Sequence, residues 1–456
     1  MSAAGTLWIV STEPDSRPDD TRRVLPESTF GRSARLLSLP LGAAARASVG
    51  VGRRILGAPA EEVDAALRDA AAEQLFQVLG ELKGGAMKFG QALSLFEAML
   101  PEDVAGPFRE RLRRLQDAAP PMPSSRAQAV LRSELGPDWR RRFADVDLRP
   151  AAAASIGQVH RARLADGREV AIKIQYPGAD AALASDLRQI QRLASAVSPL
   201  TGGLDVLALT RELAARVSEE VDYTLEGAAQ QQVALALDGH PRFVVPKVHL
   251  ATRRVLVSDW VDGSKLTELI GRPAPERNRS AVDYVTFLFA GPSLAGILHG
   301  DPHPGNYLVT PDGRLAVLDF GLVSRLPNGL PEAMGRLIRH AVEGRADEVL
   351  AGLATEGFLD DGVAAQDALD YLAPFVEPAR VEEFTFNREW ARGQFARVHG
   401  NMRADGVAAR LNIPPEYGLI YRVWMGGIAV LSQLDVQANF AKVLRDWLPG
   451  FAGTDG

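Results

Sequence analysis

Two carboxylates and an amide carry the strongest chemical signal. Asp301 lies in His299-Gly300-Asp301-Pro302-His303-Pro304-Gly305-Asn306, and Asp319 opens Asp319-Phe320-Gly321. Asn306 follows Asp301 by five residues, and Asp319 follows Asn306 by thirteen. The stretch between them reads as a β-hairpin, with Tyr307 to Thr310 and Arg314 to Leu318 joined through Asp312-Gly313. Such a hairpin holds Asp301, Asn306 and Asp319 at one end of a small sheet. Oxygen donors in that arrangement suit a hard cation such as Mg²⁺, which takes phosphate oxygens as further ligands. Asn306 and Asp319 are therefore the expected metal ligands. Asp301 is the expected base or phosphate-site organiser. His299 and His303 are expected to position the loop by hydrogen bonds, and Phe320 to pack.

A phosphate site needs further elements, and the chain supplies them in order. The small residues Ala151, Ala152, Ala153, Ala154 and Ser155 lead into a strand pair turned at Asp166-Gly167. The second strand ends in Val170-Ala171-Ile172-Lys173. A helix over residues 205–237 carries Glu219, Glu220, Asp222 and Glu226, one of which should pair with Lys173. Strands over residues 246–249 and 254–262 end in a hinge at Asp259-Trp260-Val261, whose backbone should meet adenine. Residues 272–279 read as a polar loop and residues 283–298 as an apolar helix feeding Asp301. This order is that of a protein-kinase-like fold, in which the strand lysine contacts the α and β phosphates under a small-residue loop. Alanine in that loop carries a methyl group and avoids positive φ, so the cradle should be stiffer than a glycine loop.

Bulk properties narrow the classes. The chain has 456 residues, 46% hydrophobic and 24% charged, with net charge −6. This is a globular composition without a bias towards nucleic acid. With no cysteine, thiolate catalysis, disulfides and cysteine-held metals are excluded. Residues 1–27 mix acids with prolines and read as a disordered leader rather than a signal peptide. No apolar run is long enough for a transmembrane helix, and a cytoplasmic location is expected. Residues 30–57 hold Arg32, Arg35, Arg46, Arg53 and Arg54 without an acid. That pattern reads as a solvated helix face, with peripheral contact to an anionic membrane as the other reading. Residues 61–82 have helical periodicity, and the prolines at 120, 121 and 123 form a linker.

Several motifs together resemble the UbiB/AarF family of atypical kinase-like proteins over about residues 31–434. Lys88-Phe89-Gly90-Gln91 resembles its Lys-x-Gly-Gln motif, and Leu115-Gln116-Asp117 the signature that follows. Ala151 to Gln158 resembles its Ala-rich loop, and Glu220-Val221-Asp222 its Glu-x-Asp motif. Glu226 stands where the family has its lysine-pairing glutamate. Gly227 and Ala229 depart from the Ala and Asn that often follow it. The resemblance implies an α+β, two-lobed kinase-like fold with a helical N-terminal extension packed over the active site. Its expected division is leader 1–27, extension 28–123, smaller lobe 124–262 and larger, mostly helical lobe 263–456. It implies that Lys88 and Gln91 lie near the phosphates, that Glu220 and Asp222 hold Lys88, and that the peptide groove is plugged.

The expected activity is that of an ATPase binding Mg-ATP or Mg-ADP, linked to isoprenoid-quinone or other lipid metabolism, with a quinone precursor or lipid as a further ligand. Two other readings stand beside it. One is a small-molecule phosphotransferase of the aminoglycoside or choline kinase type, which shares the His-Gly-Asp loop but lacks Lys88 to Gln91. The other is a nucleotide-gated scaffold without turnover.

Overall fold

A computed structural model describes residues 122–154, 156–179, 181, 222–359, 364–400 and 414–453. Lys88, Gln91, Ser155, Glu220, the leader and residues 30–57 lie outside them.

The described chain opens with helix α1 (Ser124–Leu135). An antiparallel sheet follows, built from β1 (Phe143–Val146), β2 (Ala152–Ala154), β3 (Gly157–Leu164) and β4 (Glu169–Gln175). After helix α2 (Tyr223–Ala236) and the short β5 (Phe243–Val244), the sheet is completed by β6 (Val248–Ala251) and β7 (Val255–Asp259). The strand order is β1-β3-β4-β7-β6, with β2 paired to β3.

Alternation along β4 decides what faces what, because successive strand residues point to opposite faces. Val170, Ile172 and Ile174 are fully buried and pack with Val130, Leu131, Trp139, Val255 and Val257 against α1. Lys173 is thereby turned to the other face, where α2 lies. Helix α2 buries Tyr223, Glu226, Gln230 and Val233, a helical stripe that aims Glu226 at the sheet. Gly227 permits this approach: a Cβ there would sit 2.7 Å from the Ala251 Cβ. The departure from the family pattern at Gly227 is thus a packing solution between α2 and β6.

The rest of the chain is mostly helical. The short strand β8 (Ser264–Lys265) leads to helix α3 (Ala274–Ala295). Then come β9 (Ile297–His299), β10 (Tyr307–Val309), β11 (Leu315–Val317) and β12 (Val323–Arg325). Helices α4 (Glu332–Val342), α5 (Ala346–Thr355) and α6 (Ala365–Val376) follow. Strand β13 (Phe384–Phe386), α7 (Arg388–Gly400), α8 (Pro415–Gln433), β14 (Val436–Ala438) and α9 (Phe440–Trp447) complete it. Tyr284, Phe287 and Phe289 of α3 anchor one large core with Trp424, Phe440 and the inner faces of β10 and β11.

Three local expectations are corrected. Residues 274–279 are the first turns of α3 rather than a loop. Pro275 is tolerated there because first-turn N–H groups have no intrahelical partner. A continuous helix over 205–237 does not exist, because Asp222 is extended (φ −113°, ψ 101°) and caps α2. The alanines form a strand: Ala152, Ala153 and Ala154 pair with Val159, Gln158 and Gly157.

Candidate active site

The loop from His299 to Asn306 is held by hydrogen bonds that its own sequence makes available. Strands β9 and β12 pair antiparallel, His299 opposite Val323, and Gly300 N–H donates to Leu322 O at 2.8 Å. This brings the two ends of the hairpin motif side by side. Gly300 has no room for a side chain, since a Cβ would lie 2.8 Å from Leu322 Cγ. Strands β10 and β11 form the expected hairpin, Tyr307 opposite Val317, with Gly313 at φ +83° in the turn.

Inside this frame the polar groups are paired. His299 Nε2 donates to the Asp319 carbonyl, which can only accept, so Nδ1 is left to accept from Tyr307 O–H at 3.1 Å. Asp301 Oδ1 accepts from His303 N–H at 3.2 Å, and Asp301 O accepts from Asn306 Nδ2 at 3.3 Å. His303 Nδ1 accepts from Gly305 N–H at 3.1 Å. Tyr284 O–H donates to Pro302 O at 2.6 Å. Phe320 is buried edge-on against His299. The two histidines are positioning groups, as expected of them.

Lys173 joins the two halves of the site. Its Nζ lies 2.8 and 2.9 Å from the two Glu226 oxygens and 3.0 Å from Asp319 Oδ2. Asp319 Oδ1 accepts from Gly321 N–H at 2.9 Å. Burial alone would drive the lysine to lose its proton, but Asp319 and Glu226 outweigh it and hold the ammonium well above its ordinary pKa. Of the two described acids in that stretch, Asp222 and Glu226, it is Glu226 that pairs with Lys173.

The other expected site residues fall as follows. Ala151 to Ala154 lie at the mouth of the β2–β3 hairpin. Asp222 Oδ1 accepts from Thr224 N–H (2.9 Å) and Thr224 O–H (2.6 Å), the N-cap of the helix that carries Glu226. Asp259 is committed to its neighbours: its carboxylate takes His249 Nε2 at 2.6 Å and Lys247 N–H at 3.2 Å. Val261 follows in the connection between the lobes, half-buried, and its backbone makes no hydrogen bond with the described residues. Of the metal candidates, Asn306 turns Nδ2 to Asp301 O and keeps its amide oxygen for another partner. Together with the Asp319 carboxylate this is a donor set that fits Mg²⁺. Among the described residues no group of three or more His, Asp or Glu is placed to hold a metal by itself.

Sequence reasoning missed two tyrosines. The Tyr223 ring lies 5.0 Å from Lys173 Nζ, and Tyr284 pins the catalytic loop. The signal for Tyr223 was its spacing, three residues before Glu226 on one helix face.

A strand lysine shared between a helix glutamate and the aspartate of Asp-Phe-Gly, above a His-Gly-Asp loop, defines a protein-kinase-like fold. Comparison with known proteins carries this further. A family model described as the ABC1 atypical kinase-like domain matches residues 114–352. A chloroplastic protein of Arabidopsis thaliana, activity of BC1 complex kinase 3, is 31% identical over 393 residues, 83% of this chain and 52% of its own length. The mitochondrial atypical kinase COQ8B of Rattus norvegicus is 30% identical over 441 residues, 93% of this chain and 81% of its own. A solved structure, the Rv3197–erythromycin complex from Mycobacterium tuberculosis, is 40% identical and superposes with a TM-score of 0.67. That match covers 87% of this chain and 100% of that one. The chain belongs to the ABC1 atypical kinase-like family, the UbiB/AarF group. It spans about half the length of the chloroplast relatives it matches. Among the described residues no helix is long and apolar enough to cross a membrane.

Proposed function

We propose that the chain binds Mg-ATP and Mg-ADP and hydrolyses ATP, with hydrolysis coupled to isoprenoid-quinone or other lipid handling. The observation that supports it most is Lys173 bonded at once to Glu226 and Asp319, the pairing a kinase fold uses to seat phosphates. In this reading Lys173 holds the α and β phosphates and Asn306 and Asp319 take Mg²⁺. Asp301 positions water or an acceptor, and the alanines of 151–154 with Ser155 restrain the nucleotide, whose adenine meets the backbone at Asp259 and Val261. Lys88, held by Glu220 and Asp222, closes the site together with Gln91 from an extension over residues 28–123. The lipid link draws on the resemblance to the UbiB/AarF family.

The test is Mg²⁺-dependent ATP turnover by the purified protein beside Asp319→Asn and Lys173→Ala. Each variant should lose at least about 100-fold; wild-type turnover in both would reject the assignment. A second reading is favoured by the relative from Mycobacterium tuberculosis solved with erythromycin: this chain also takes a macrolide. Titration of erythromycin against the Mg-ADP-loaded protein tests it, and the lack of a saturable signal rejects it.

A further inference from the structure

Tyr223 is the first residue of α2 and is 1% exposed. Its hydroxyl is buried and, among the described residues, has no hydrogen-bond partner. A buried hydroxyl without a partner is unfavourable, and the group asks for an explanation. Two neighbours place it. The Lys173 ammonium stands 5.0 Å above the ring. On the other side the hydroxyl lies 3.0 Å from the point where a Cβ on Gly157 would sit.

Gly157 closes the alanine hairpin, opposite Ala154 on β2 and Gln175 on β4. Val159 is directly opposite Lys173, so the two share a face of the sheet, and Gly157, two residues away, shares it as well. The Tyr223 hydroxyl therefore sits beneath the hairpin, on the face that carries the ammonium. The charged groups acting on it are Lys173, which can only donate, and the carboxylates of Glu226 and Asp319, both bonded to Lys173. Among the described residues no acceptor is left for the hydroxyl, and the site's cation favours one with negative charge.

We propose that Tyr223 is a phosphate contact: its O–H donates to a phosphate oxygen of a nucleoside di- or triphosphate seated beneath the alanine hairpin. This rests on the nucleotide-binding reading of the site. Burial keeps the phenol protonated far above neutrality, so it remains a donor. The contact reads phosphate and ignores the base, which separates it from the hinge.

The experiment is calorimetric titration of the full chain with Mg-ADP and with adenosine, for wild type and Tyr223→Phe, together with melting curves without nucleotide. The expected result is an ADP affinity about 10-fold weaker in Tyr223→Phe, an adenosine affinity within about 2-fold, and a nucleotide-free melting temperature equal or higher. An unchanged ADP affinity overturns the proposal. Equal losses for ADP and adenosine also overturn it, because the ring then acts only by shaping the pocket. A wild-type protein that binds neither ligand fails differently, and removes the nucleotide reading itself. Should Tyr223→Phe not fold, 3-fluorotyrosine placed at position 223 alone keeps the question open to ¹⁹F NMR. Its resonance should move with Mg-ADP and stay with adenosine; a resonance that ignores both overturns the contact.

Discussion

Glu226→Gln isolates the sharing of Lys173 between its two carboxylates. Glutamine keeps the shape and one carbonyl acceptor but removes the charge. Two bonds of 2.8 and 2.9 Å from the ammonium to a carboxylate become one bond to an uncharged amide oxygen. A hydrogen bond with a charged partner contributes about 1.5–3 kcal/mol, and one of the two is lost. With Glu226 only 4% exposed, water does not make up the difference, and the net loss is about 2 kcal/mol. At about 2–4 °C per kcal/mol, the melting temperature should fall by roughly 4–8 °C.

The second consequence is sharper. The ammonium keeps Asp319 as its remaining carboxylate, 3.0 Å away, and should hold it harder. Mg²⁺ must then compete with a more committed lysine, and the Mg²⁺ needed for half-maximal nucleotide binding should rise by up to about 30-fold. A Mg²⁺ titration with a fluorescent nucleotide analogue measures this. A variant that loses stability but keeps wild-type Mg²⁺ dependence would refute the competition for Asp319. Because Lys173 keeps its proton well above the usual lysine range, its ion pair contributes fully at neutral pH. The contribution is lost only as pH rises through that raised value, so the deficit of Glu226→Gln should be flat between about pH 7 and 9.

Two further perturbations test the sheet around this site. His160 is fully buried, and burial pushes its pKa below the usual imidazole value, against the pull of the Asp147 carbonyl it bonds at 2.9 Å. Its contribution is therefore complete above about pH 6.5 and drains as pH falls towards the lowered folded value. Between about pH 7.5 and 5.5 the wild type should lose more melting temperature than His160→Gln; parallel slopes would refute this. In Gly157→Ala the new methyl would lie 2.3 Å from Ile174 O. It should force β3 and β4 apart beside Lys173, at a cost of at least about 3 kcal/mol in denaturant unfolding; wild-type stability would refute the packing.

What could be read from sequence was what the chain encodes locally. The β10–β11 hairpin follows from two apolar runs around Asp312-Gly313, and Gly313 takes the positive φ the turn needs. The Lys173 strand follows from alternation and a second Asp-Gly turn. One error came from reading polarity as a loop. Residues 274–279 are charged because the first turns of α3 face water, and a proline among them is allowed there. Asp222 was expected to hold Lys88, which lies outside the described residues; its Oδ1 in addition caps α2, a local role that a side chain at a helix start fills readily. The contacts hardest to foresee are the most distant in sequence. Lys173 meets Asp319 across 146 residues, and Tyr284 reaches Pro302 from the middle of a helix. No periodicity encodes such meetings; they follow from how the elements pack.

Asp319 shows why the remote contact matters for the proposed reaction. Its carbonyl is held by His299, its Oδ1 by Gly321 N–H and its Oδ2 by the Lys173 ammonium. The carboxylate is therefore oriented before any metal arrives, and the site spends no ordering entropy on it at that moment. The same lysine would oppose a bare cation at this carboxylate, because its ammonium lies 3.0 Å from Oδ2. Phosphates invert the balance: they attract Lys173 to themselves and bring acceptor oxygens for the metal. Mg²⁺ and nucleotide should consequently bind as one coupled event, each weak alone. Glu226, tied to Lys173 but not to Asp319 in the described contacts, sets how far the ammonium can shift between them. In the proposed site, the helix that carries Glu226 would thus act on Asp319 through Lys173 without touching the metal itself.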